Sequence, residues 1–222
     1  MTSWAKPPTS LPVEALDNAA KTYLFAIGAA AIYVSADHGV PVGIGATRDL
    51  DQALRHLRNI ISPTVSFEWA AWSPRYDALC EIAREIAPPT AMTSMTTLVT
   101  QIETAARSRG IALTPHHRAL ERAQVYAKYL DDALAVMQRN GEFSAFNQAY
   151  RAHRLERSCK GESVQPFWAV MIELRSVVIR ALVANKKNRL QPQSAIEEIR
   201  KHFPWFSRAK RNGRHTRSGR RR

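Results

Sequence analysis

Only two cysteines, Cys80 and Cys159, occur in 222 residues. Two cannot build a disulfide framework, and neither has a CxxC partner or a neighbouring histidine, which argues against structural zinc. A reducing, cytoplasmic setting is the expectation. Long apolar runs are also missing. The longest, Leu24 to Ala36, is too short for a membrane span and is interrupted by Gly28, Tyr33 and Ser35. No apolar segment follows Met1 to Lys6 before Pro7-Pro8, so no secretory signal is expected. Nine scattered glycines exclude collagen, and 45% hydrophobic residues exclude a wholly disordered chain.

Acids are scarce as well. Against 32 Lys and Arg stand 19 Asp and Glu, a formal charge of +13 and a pI near 10.3. Eight of the basic residues fall in the last stretch of chain with no acid among them: Arg208, Lys210, Arg211, Arg214, Arg217, Arg220, Arg221 and Arg222. Gly and Ser between them disfavour a helix, so residues 207–222 read as a disordered arm. Arginine suits bidentate phosphate contact. The expected partner is therefore a nucleic acid, ahead of an anionic membrane, with DNA favoured over RNA.

The body reads as two regions behind a loose arm at residues 1–12. Val13 to Thr22 can form a short helix. Two apolar runs, 30–34 and 41–45, flank Asp37-His38-Gly39 and predict a β-hairpin. Asp49 caps a helix with Leu50, Ala53, Leu54 and Leu57 at helical spacing, ended by Ser62-Pro63. Thr64 to Trp72 alternates Val65, Phe67 and Trp69 as a third strand. Ser73-Pro74 then opens a helix over 75–86. This β-β-α-β-α order makes a small α/β domain at 13–88, with a boundary drawn at Pro88-Pro89. From there to 206 the chain reads as all-helical, and the fold class is α+β.

The first region resembles the GIY-YIG endonuclease superfamily over roughly residues 28–87. Ala31-Ile32-Tyr33 stands where the family has Gly-Ile-Tyr, and Gly43-Ile44-Gly45 where it has Tyr-Ile-Gly. The resemblance implies a nuclease-like scaffold with Mg²⁺ or Mn²⁺ as cofactor. On it Tyr33 would act with a water as nucleophile, and Glu81, on the helix after the third strand, would hold the metal. It also exposes gaps. The second motif's tyrosine is Gly43 here, and the family's catalytic arginine falls on Ala53. An apolar residue cannot steady a developing phosphate charge, and His56, three residues on, is the available substitute. The expectation is a scaffold that binds without efficient cutting.

In the helical region Thr114-Pro115 reads as the start of a long helix, Thr capping and Pro first. Leu120, Ala123, Ala127, Leu130, Leu134 and Met137 form a heptad-like stripe along it, a core seam or a homo-oligomer contact through 115–139. Helices follow at 143–159 and 165–185, with a capping box at Ser194 opening a last one to His202. Arg151, Arg154 and Arg157 make a basic ridge suited to phosphate. Phe143, Phe146 and Tyr150 read as core, Phe167 and Trp168 as interhelical packing. Phe203-Pro204-Trp205-Phe206 either anchors the arm or offers rings for stacking. Three functions compete: a nucleic-acid-binding protein, an active metal-dependent endonuclease, and an assembly protein whose tail touches nucleic acid incidentally.

Overall fold

A computed structural model describes residues 16–90, 92–184 and 192–207. The protein is α+β and divides into two compact units, Met1–Ala123 and Gln124–Arg222.

In the first unit, α1 (Asn18–Ala26) starts where Asp17 accepts a hydrogen bond from the Ala20 amide at 2.6 Å, later than the 13–22 helix expected. The hairpin forms as the sequence predicts, from β1 (Ala30–Asp37) and β2 (Val40–Thr47). Its two central residues, His38 and Gly39, have φ of 48° and 78°. Left-handed backbone at both positions matches the twist of the strands, and histidine and glycine tolerate it. Asp49 caps α2 (Leu50–Ile60) through the Gln52 amide at 3.0 Å. β3 (Ser66–Ser73) pairs antiparallel with the other side of β1 and leads into α3 (Tyr76–Glu85).

The all-helical reading of residues 89–206 needs two corrections. Thr114-Pro115 does not open the long helix. It forms β4 (Thr114–Pro115), pairing with Trp72 and Ala71 to complete a sheet in the order β2-β1-β3-β4. A proline fits there because an outer strand can lack a donor. The boundary also lies further along than Pro88-Pro89. Helix α4 (Met95–Ser108) supplies Leu98, Ile102 and Ala106 to the same core as Ala30, Ile32 and Val34 of β1 and Leu79 and Ile82 of α3. Pro88-Pro89 is a loop within this unit, because α4 buries its apolar stripe on the sheet.

The long helix α5 (His116–Arg139) crosses the division at 123/124 and ends at Gly141, φ 72°. Ala123, Leu130 and Met137 of its stripe are buried within the single chain, so the seam serves as core. In the second unit follow α6 (Glu142–Cys159), α7 (Phe167–Ala184) and α8 (Pro192–His202). Helix α8 begins ahead of the Ser194 capping box. Among the described residues no helix is long and apolar enough to cross a membrane.

Candidate nucleic-acid interface

Strand pairing positions Tyr33. It lies opposite Gly45 in the β1–β2 ladder, and its ring covers that glycine so closely that a Cβ there would overlap the ring and hydroxyl. Phe67 packs from the other side, ring centroids 4.4 Å apart. The Tyr33 hydroxyl has no hydrogen-bond partner among the described residues. Burial, with a smaller contribution from Tyr76, raises its pKa. A tyrosine that shares its proton with a nucleophile needs a cation close by, and this environment favours the neutral phenol instead. Arg48, at the exit of β2, lies 4.7 Å over the ring of Tyr76.

The other positions implied by the resemblance lie on two helices. His56 is exposed on α2, and Glu81 is exposed on α3. No hydrogen bond or ion pair links Tyr33, His56 and Glu81. Arg58 donates to the Val65 carbonyl at 3.0 Å and ties α2 to the chain entering β3. Arg109 pairs with Glu85 and also feels the charge of Glu81. Among the described residues no three His, Cys, Asp or Glu side chains gather to hold a metal ion. An exposed carboxylate with a guanidinium in its field is a poor seat for Mg²⁺ or Mn²⁺.

In the second unit the basic ridge separates into two parts. Arg157 forms an ion pair with Glu162 at 2.5 Å and donates to the Ser163 carbonyl at 3.4 Å, which closes the loop after α6. Arg151 and Arg154 are exposed and make no ion pair among the described residues. Arg175 and Arg180 on α7 are likewise exposed and unpaired. The eight tail positions, Arg208, Lys210, Arg211, Arg214, Arg217, Arg220, Arg221 and Arg222, lie outside the described residues.

Aromatic packing sets these helices. Phe146 is fully buried, with Phe203 and Phe206 each 5.3 Å away and Trp205 4.9 Å away, centroid to centroid. The Phe-Pro-Trp-Phe segment is thus an anchor. Tyr150 donates its hydroxyl to the Gln165 carbonyl at 2.8 Å and packs on Phe167 at 5.1 Å. A cavity of about 280 Å³ lies beside Trp205, but its charged lining is already engaged: His202 Nε2 is 2.6 Å from Glu173, and Arg157 holds Glu162.

Trp168 departs from the interhelical packing expected for it and is 68% exposed. Successive residues on a helix turn by about 100°, so when Phe167 faces Tyr150 its neighbour must face away. Two adjacent aromatics at a helix start were the signal available in the sequence. No family model, curated protein or solved structure matches the chain, so its chemistry rests on the residues just described.

Proposed function

We propose that the chain is a nucleic-acid-binding protein on a GIY-YIG-like scaffold with little or no cleavage activity, and that its affinity resides in the second unit. Charge segregation carries this reading. Residues 1–123 hold 11 Lys and Arg and 11 Asp and Glu, while residues 124–222 hold 21 against 8. The whole excess of +13 therefore belongs to the second unit. A polyanion gains from that unit by counterion release, with Arg151, Arg154 and the tail arginines as phosphate contacts. The sheet unit is electrically neutral. Its phenol is held protonated, and Ala53 occupies the place where a cation would steady the phosphate.

The test incubates labelled DNA and RNA with the protein in Mg²⁺ or Mn²⁺, against EDTA and Glu81→Ala, following retardation and cutting together. Retarded, intact nucleic acid that salt releases is the expected result. Metal-dependent cutting lost in Glu81→Ala would overturn it in favour of an active endonuclease. Neither retardation nor cutting would leave an assembly protein.

A further inference from the structure

We infer that the exposed stripe of α7 centred on Trp168 receives the bases of a single-stranded nucleic acid, an inference that rests on the binding reading above and gives it a strand type. Trp168, Ile172 and Arg175 follow at i, i+4 and i+7 and share one stripe. Trp168 is 68% exposed and Ile172 46%, with Arg175 exposed and unpaired beyond them. The opposite side of the helix, Val170, Leu174, Val177 and Val178, is buried. The stripe thus carries a free indole face at one end and an unpaired guanidinium two turns along it.

That combination matches a strand with accessible bases. A flat ring stacks on any unpaired base, and neighbouring cations follow the phosphates. A duplex offers the same phosphates but keeps its bases stacked inside, so Trp168 gains nothing from it. Two other occupants fit less well. A second copy would bring like charges together over two apolar side chains, far short of the roughly 800 Å² each partner of a stable interface buries. A membrane-surface helix turns its broad apolar face to lipid, whereas that face of α7 is turned into the core.

The experiment compares the full chain with Trp168→Ala and Trp168→Phe by fluorescence anisotropy, on a labelled single-stranded oligonucleotide, the duplex of the same sequence, and anionic lipid vesicles. Trp168→Ala is expected to lose about tenfold in single-strand affinity, the order of one stacked base, with duplex affinity unchanged and Trp168→Phe retaining most of the binding. An unchanged unfolding temperature shows that the loss is not a folding defect. Equal loss on both strand types, or no loss on either, overturns the inference and leaves the binding reading intact. Vesicle binding that Trp168→Ala removes overturns it in favour of lipid, and a dimer that the same variant dissociates overturns it in favour of self-association. If the unaltered chain retards neither oligonucleotide, the binding reading fails first.

Discussion

At Gly45 the missing side chain is filled by a neighbour's ring. Alanine in a strand is ordinarily no worse than glycine, but here its Cβ would enter the space of Tyr33. Gly45→Ala should cost about 1–3 kcal/mol, the range for overpacking. On a Tyr33→Ala background the same substitution should cost almost nothing, and chemical denaturation of the four proteins measures the coupling. The Tyr33 hydroxyl supplies a second prediction. Burial raises its pKa above the ordinary 10.0, so as pH climbs past that value the unfolded chain loses its proton first. Tyr33 thus favours the fold below about pH 10 and ceases to favour it as pH rises through its folded pKa. Tyr33→Phe and the unaltered chain should melt together near about pH 8, with the variant gaining relative stability above about pH 10. The hairpin was legible, but a regular turn at His38-Gly39 would set Tyr33 opposite Ile44; the irregularity between Ser35 and Ala36 shifts the register by one residue and brings Gly45 there instead. Nothing in the spacing showed that the ring would lie across the glycine and leave its hydroxyl without a partner.

Among the elements, those with local signals fell where periodicity and caps put them. Asp49 caps α2, the hairpin turns at 38–39, and α5 stops at Gly141. Misreadings occurred where a tertiary partner decides. Thr114-Pro115 satisfies the local rule for a helix start, yet Trp72 and Ala71 take it as a strand. The stripe of α4 looks like that of any bundle helix, and only the sheet beneath it assigns it to the first unit. The Phe-Pro-Trp-Phe segment had two readings, and three rings around Phe146 decided for anchoring. Phe146→Ala should accordingly cost about 3–5 kcal/mol, the range for emptying a buried aromatic site. Because Phe203, Trp205 and Phe206 all lose a partner, it should also speed amide exchange at residues 203–206, which hydrogen–deuterium exchange reads directly. Residue-level exposure was the hardest to foresee: Trp168 and Phe146 look equally apolar in the sequence, and one is free while the other is fully enclosed.

For the molecule as a whole, charge and fold divide at the same place. The basic excess was evident from composition, and it falls in the second part whether the chain is divided at Pro88-Pro89 or at 123/124. The arrangement predicts how salt acts. The logarithm of affinity should fall linearly with the logarithm of salt concentration, and each phosphate-contacting arginine removed should lower that slope by about 0.7–0.9. Replacing Arg151 and Arg154 together should therefore reduce it by about twice that amount. Replacing Arg55 and Arg84 of the neutral unit should leave it unchanged. Titrations over a range of salt concentrations distinguish the two pairs, and equal slopes for all variants would remove the second unit from the interface.

The crossing of α5 through the division has a practical meaning for anyone who cuts the gene. Most two-part proteins are joined by a loop, and each half can be expressed from a stop or start codon placed within it. Here the join is the interior of a 24-residue helix. A cut at 123/124 would leave each fragment with a severed, hydrogen-bond-deficient helix end, and a protease would meet helix rather than loop at that join. Shuffling of one half onto another partner is obstructed for the same reason, so the neutral sheet and the basic bundle should be inherited and expressed together.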